Sequence, residues 1–273
     1  MILGMVVLVI IFLFCLGLII GSFLNVVIYR TIHGEQWVKG RSRCDNCHKE
    51  IAWYDNLPLL SYILLKGKCR YCGKKIAVQH FAIEIMTGCL FVWWYAIGFG
   101  FFRLAQAPHL YIQPFFWLIV GILLLIIFVT DWLYQIIPDW ANITLGALAL
   151  SYRLYLGYSG AMQWRDVWLA IITGLGLAAF LLLLFAITRG RGMGLGDVKF
   201  AIVMGLLLGW PRAAIAMFLA FVLGAVFGLI MIALKQKKLK ERIAFGPFLI
   251  MGTAIALVWG ETIWQNYLRW SGL

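Results

Sequence analysis

Gly190-Arg191-Gly192-Met193-Gly194-Leu195-Gly196-Asp197-Val198-Lys199 interrupts two long apolar stretches. The surroundings set an acid at or near membrane depth. An ionised carboxylate there costs roughly 2.5–3.5 kcal/mol on insertion scales, so such a residue marks a functional site by default. Glycines at alternate positions let the backbone leave helical geometry just before the acid. A second acid, Asp131, closes another apolar run, Phe128-Val129-Thr130-Asp131. The reading that follows is that Asp131 and Asp197 meet.

Working outward, the composition agrees with an all-α polytopic membrane protein. Of 273 residues, 64% are hydrophobic and 12% charged, and the mean hydropathy is +0.94. A soluble domain is nearer half apolar and a quarter charged. The net charge of +12 does not point to nucleic acid, because the basic residues follow the loops between apolar runs. The first 29 residues hold no Lys, Arg, Asp or Glu. A run this long with an uncharged front reads as a retained span, not as a cleaved signal peptide.

The pattern predicts about eight transmembrane helices, near 4–28, 81–102, 115–133, 140–158, 167–187, 198–209, 213–234 and 245–266. The sixth is short for a crossing, which suggests a tilted, kinked or re-entrant segment. Between the first two lies the one sizeable polar segment, 30–80, with ten Lys/Arg against four acids. Eight spans put 30–80, 131–139, 188–199 and 235–244 on one side, with eighteen of the 23 basic residues. The positive-inside rule makes that side cytoplasmic. Asp131 and Asp197 then fall at the same depth, at cytoplasmic ends of spans.

Two sets of residues carry chemistry. Cys44-x2-Cys47 and Cys69-x2-Cys72 form two knuckles, each presenting two thiolates, and together they complete a tetrahedral Zn²⁺ site. A redox dithiol or two disulfides are the alternatives, and a cytoplasmic loop disfavours stable disulfides. With four cysteine ligands the zinc is structural. Cys15 and Cys89, inside spans, read as small packing residues. His48 and His80 read as surface residues, and Asn25 as an interhelical hydrogen-bonding group.

The aspartates are the second set. Two carboxylates held close together share a proton instead of both ionising. One can then take a proton from water while the other donates to a substrate carbonyl, which is aspartic-peptidase chemistry without a covalent intermediate. The competing readings are an ion pair of Asp131 with Arg189, Arg191 or Lys199, and a proton-coupled transporter using the same acids. Asp139, after Pro138, reads as a helix-start charge complementing the dipole, and Glu84 gets the same reading; Glu261 reads as interfacial.

These residues also carry a family resemblance. The stretches are Gly21-Ser-Phe-Leu-Asn-Val-Val-Ile-Tyr-Arg30, Arg41-Ser-Arg-Cys-Asp-Asn-Cys47, Trp53-Tyr-Asp-Asn-Leu-Pro-Leu-Leu-Ser-Tyr62 and Gly67-Lys-Cys-Arg-Tyr-Cys-Gly73. Asp131 with Ile137-Pro138-Asp139, Gly192-Met-Gly-Leu-Gly-Asp-Val-Lys199 and Phe245-Gly-Pro-Phe248 complete them. With them the chain resembles the type IV prepilin peptidases, G-x-G-D aspartic proteases that act as leader peptidase and N-methyltransferase in pilus, type II secretion and competence systems. The resemblance implies Asp131 and Asp197 as the catalytic pair, with Gly194 and Gly196 as the supporting motif. It implies prepilin or pseudopilin substrates, S-adenosylmethionine as methyl donor, and a place in the bacterial cytoplasmic membrane with zinc loop and active site on the cytoplasmic side. No S-adenosylmethionine motif stands out. The expected parts are a first transmembrane helix at 1–29, a cytoplasmic four-cysteine zinc-binding segment at 30–80 and a transmembrane aspartic peptidase core at 81–273.

Overall fold

The computed structural model describes residues 2–38, 40–44, 46–100, 112–190, 192–236 and 243–272. Among these residues the protein is helical, with no strand longer than an isolated bridge. The helices are α1 (Ile2–His33), the short α2 (Leu60–Leu64), α3 (Val78–Gly100), α4 (Ile112–Tyr134), α5 (Asp139–Tyr158), α6 (Trp164–Ile187), α7 (Leu195–Leu208), α8 (Arg212–Ala233) and α9 (Gly246–Ser271). Long apolar runs take this form because hydrocarbon offers no partner for backbone N–H and C=O groups, and a helix satisfies them internally.

Eight of these helices stand where spans are expected. Among the described residues, five of them, α1, α4, α6, α8 and α9, are long and apolar enough to cross a membrane. The other three have features of their own. α7 has only 14 residues. α5 turns Asn142 and Arg153 inward, and α3 carries His80 and Glu84. The end of the expected second span, 101–102, lies outside the described residues.

The chain divides into two compact units, Met1–Ile126 and Ile127–Leu273, with the boundary inside α4. In the first unit α1 and α3 pack closely along their lengths. Gly17 and Gly21 make the approach possible. A methyl group on Gly17 would sit 2.7 Å from Gly88 Cα, and one on Gly21 2.7 Å from Glu84 Cα. Gly17-x3-Gly21 is thus a small-residue seam, which matters in lipid because helix association there depends on van der Waals fit more than on expulsion of water. Asn25 extends the seam, donating to the His80 carbonyl at 3.0 Å and meeting the His80 ring at 3.2 Å. Asn25 is therefore the interhelical group the sequence suggests. His80 is half-buried in this contact, not a surface residue. Cys15 and Cys89 face outward from their helices instead of packing inside.

In the second unit α7 is the central element. It packs against α5, α6, α8 and α9, and Phe200, Ala201 and Met204 are fully buried. Burial on all sides explains its shortness, since a helix walled by protein need not match the bilayer thickness. Gly205 lets α7 touch the backbone of α6 at Gly174. The carboxyl end of α7 is closed by buried Arg153, whose guanidinium donates to the carbonyls of Leu206 and Leu207. These carbonyls are among the four a helix end leaves without an internal partner.

Candidate active site and metal centre

Three helix ends meet at one end of the second unit. Asp131 lies in the last turn of α4, Asp197 in the first turn of α7, and Gly246 opens α9. Both acids are buried, Asp131 5% exposed and Asp197 6%. Each carboxylate is held by a backbone amide. The Gly194 N–H donates to Asp197 Oδ2 at 3.1 Å, and the Gly246 N–H donates to Asp131 Oδ2 at 2.9 Å. Asp197 is the third residue of α7, so this bond is half of a capping box; glycine has no side chain to supply the other half. The two acids also sit at the positive ends of α7 and α9, where N–H groups and helix dipoles favour negative charge. Asp197 lies within reach of the charge on Asp131.

Ile137 fits between these parts. A methyl group on Gly196 would lie 3.1 Å from Ile137 Cβ. One on Gly246 would lie 3.2 Å from Ile137 Cδ1 and 2.6 Å from Asp131 Oδ2. Sequence reasoning quotes Phe245-Gly246-Pro247-Phe248 without giving it a task. The structure gives Gly246 one: its amide approaches the Asp131 carboxylate through space that any side chain would fill.

One of the ion-pair readings resolves in the same place. Lys199 Nζ bonds Asp139 Oδ1 at 2.7 Å, not Asp131, and both side chains are more than half exposed. A pair this exposed contributes about 0–1 kcal/mol. Arg191 lies outside the described residues. Asp139 stands at the start of α5, as expected. Glu84 does not stand at a helix start. α3 begins at Val78, and Glu84, about two turns in, is buried and accepts the Leu59 N–H at 2.8 Å. Glu261 is exposed and pairs with Arg212 at 3.2 Å.

The cysteines gather in the first unit. The sulfur atoms of Cys44, Cys47, Cys69 and Cys72 all lie within 4.8 Å of one another. Cys44 and Cys72, one from each knuckle, are 3.9 Å apart. A tetrahedron with metal–sulfur bonds of about 2.3 Å has edges of about 3.8 Å, whereas a disulfide needs about 2.05 Å. The arrangement can hold a metal ion. The two knuckles repeat one hydrogen-bond pattern. Cys44 N–H donates to the Lys49 carbonyl and Cys69 N–H to that of Lys74, and Ile51 and Ile76 bond back to Ser42 and Gly67. The positive-φ turn is His48 in one and Gly73 in the other. The backbone N–H of Cys72 is the main cause that brings the Cys69 thiol down to about 7. Against the backbone N–H of Lys74, Cys72 is pushed up to about 11 by burial and the neighbouring thiols, so the four sulfur atoms are close enough to influence one another's protons. Within the second knuckle, Arg70 grips the Asp55 carboxylate with Nε at 2.8 Å and Nη2 at 2.7 Å, and this bond raises the already high pKa of the guanidinium further.

Comparison with known proteins settles the kinship. The model of the bacterial peptidase A24 N-terminal domain matches residues 15–97, and that of the type IV leader peptidase family matches 118–229, which hold both aspartates. The prepilin leader peptidase/N-methyltransferase of Stutzerimonas stutzeri is 30% identical, over 94% of this chain and 93% of its own length. The chain belongs to the type IV leader peptidase family. It is by that membership a peptidase. Proteins of the same name from Pseudomonas aeruginosa and Bacillus subtilis are each 30% identical, over 94% of this chain and 92% and 97% of their own lengths. No solved structure matches the chain.

Proposed function

We propose that the chain removes the leader of type IV prepilin-like proteins at the cytoplasmic face of the bacterial inner membrane, with Asp131 and Asp197 as the catalytic pair. The observation that supports this is two buried acids at the ends of α4 and α7, each fixed by one glycine amide, with Ile137 packed against Gly196 beside one and Gly246 beside the other. Fixed carboxylates fit water activation, because a preorganised base and acid need no rearrangement as charge develops. One carboxylate takes a proton from the attacking water. The other, protonated, donates to the scissile carbonyl, and a tetrahedral diol collapses to the two peptides. Gly194 and Gly196 support the geometry, the first by its amide and the second by leaving room for Ile137.

The relatives' names carry a second activity, N-methylation, and the reading extends it to this chain with S-adenosylmethionine as donor. Zn²⁺ on Cys44, Cys47, Cys69 and Cys72 would hold the segment 30–80 together; about fifty residues make too small a core to fold well alone. All eight long helices cross the bilayer in this account, α7 as a protein-walled segment, and the excess of basic residues keeps the zinc segment and the aspartates cytoplasmic. The functional division is then span 1–29, zinc segment 30–80 and peptidase core 81–273.

The test is processing of a purified prepilin by the purified chain with S-adenosylmethionine added, scored by intact mass. Loss of the leader with addition of one CH₂ to the new amino terminus is the expected result. Uptake of a solute by proteoliposomes, with no cleavage of a co-reconstituted prepilin, would replace the peptidase reading with transport.

A further inference from the structure

Between the two cysteine knuckles, the chain around α2 has its polarity reversed. The residue α2 buries is Ser61, 7% exposed, and its Oγ donates to the Tyr54 carbonyl at 2.9 Å. Leu60, Ile63 and Leu64 face outward, Leu64 with 78% of its surface exposed. Leu57, also exposed, continues their face at helical spacing. A single exposed leucine is ordinary on any protein. A serine turned in beneath a patch of apolar side chains turned out is not, and such a patch marks a contact surface.

The register of α1 against α3 sets the depth of this face. The two helices run antiparallel, with Gly21 against Glu84 and Asn25 against His80. Leu59 donates its N–H to the Glu84 carboxylate at 2.8 Å, and the Tyr62 ring packs on Phe81 with centroids 4.9 Å apart. α2 therefore lies beside α3 at the level of residues 81–84, not beyond the helix ends. On α1 the Glu84 level is that of Gly21. Arg30, the first charged residue of the chain, lies beyond Gly21 by roughly 13 Å of helix at 1.5 Å per residue. Helical side chains lean toward the amino end, so the reach of Glu84 takes back about one turn, roughly 5 Å. The turn at Leu59 thus sits roughly 8–13 Å inside the level at which α1 becomes polar. α1 is long and apolar enough to cross a membrane, so this level belongs to the bilayer and not to water.

The backbone meets the demand that hydrocarbon makes. Non-helical chain enters a bilayer only where its N–H and C=O groups find partners in the protein. Leu59, held at φ +63°, ψ −51°, gives its N–H to Glu84. The Leu60 N–H closes a positive-φ γ-turn onto the Pro58 carbonyl at 2.6 Å. The N–H groups of Ser61, Ile63 and Leu65 bond the carbonyls of Leu57, Leu59 and Ser61 at 2.9–3.1 Å. The flanks suit the headgroup layer. Exposed Trp53 and Tyr54 precede the apolar face, and exposed Lys66 and Lys68 follow it. Aromatic rings collect at bilayer interfaces, and lysines there reach up to anionic phosphates. We infer that the face formed by Leu57, Leu60, Ile63 and Leu64 is an interfacial membrane anchor. It is seated among the acyl chains of the leaflet at the carboxyl end of α1, and it holds the cysteine knuckles against the bilayer. The inference needs α1 to cross the membrane and is independent of the reaction the aspartates perform.

Photocrosslinking tests the anchor. The photoreactive residue p-benzoylphenylalanine replaces Leu60 or Leu64 in the full chain, one position at a time. Exposed Lys49, in the first knuckle, is the water-facing control. Each chain is reconstituted in liposomes of phosphatidylethanolamine and phosphatidylglycerol, irradiated, and read by intact mass. Phospholipid adducts should be several times as frequent at positions 60 and 64 as at 49. Ile63, exposed on the same face, takes the label if a chain labelled at 60 or 64 does not insert. Adducts no more frequent on this face than at Lys49 would overturn the anchor. Crosslinks to a second copy of the chain in place of lipid would also overturn it, and would make the face a subunit interface.

Discussion

Replacing Gly246 by alanine tests how finely Asp131 is placed. The added methyl would lie 2.6 Å from Asp131 Oδ2, 3.0 Å from its Cγ and 3.2 Å from Ile137 Cδ1. Ordinary contact begins near 3.4 Å, so carboxylate and methyl must separate by about 0.8 Å. That movement breaks or lengthens the 2.9 Å bond from the Gly246 amide. A hydrogen bond to a charged acceptor is worth about 1.5–3 kcal/mol, or roughly ten- to hundredfold in rate if it is lost at the transition state. A misplacement near 1 Å in a catalytic constellation costs about 10²-fold by itself. The two figures describe one displacement, so they do not multiply, and kcat/KM for leader cleavage should fall by about 10²-fold. Alanine is a better helix former than glycine, so α9 should persist and the variant should still insert and purify. Gly196→Ala meets only Ile137, at 3.1 Å, and should lose less. Cleavage by Gly246→Ala close to the wild-type rate would refute the placement of this amide against the carboxylate.

Other substitutions read other parts of the account. Asp139→Asn breaks an exposed pair with Lys199 worth about 0–1 kcal/mol, so prepilin cleavage should be nearly unchanged in the same assay. Metal analysis of reduced, unchelated protein should find one zinc per chain. Cys44→Ser should lose it and open the segment 30–80 to limited proteolysis while the helices stay inserted; a zinc-free wild type would refute the centre. Gly17→Val forces side-chain atoms onto the Gly88 backbone, 2.7 Å away already at Cβ, and should destabilise the α1–α3 pair by about 1–3 kcal/mol or more, read as a lower thermal midpoint in micelles.

What the sequence shows, and what it hides, follows from the range of each interaction. Apolar runs of twenty residues announce helices, because length and hydropathy are local properties. The cysteine knuckles are legible for the same reason. So is Asp139, a helix-start charge set by its immediate neighbours. Glu84 is misread because its partner, Leu59, is 25 residues away and in a turn whose strain no local pattern reveals. The role of Gly246 is hidden by a separation of 115 residues from Asp131. The Phe-Gly-Pro-Phe block does mark the place, since Gly-Pro opening an apolar run signals a helix start whose first amides are free. The Gly17–Gly21 seam is visible as a small-xxx-small pattern, but only the structure shows that α3 is its partner.

The central claim is that Asp131 and Asp197 act as one unit, and kcat for cleavage of one prepilin by Asp131→Asn, Asp197→Asn and the double variant tests it most directly. Asparagine keeps the shape but can neither take the proton of water nor share one. The account predicts a loss of roughly 10³-fold or more for each single variant, with the double variant no worse than either. A near-normal rate for Asp131→Asn beside an inactive Asp139→Asn would contradict it and move the catalytic pair to Asp139 and Asp197.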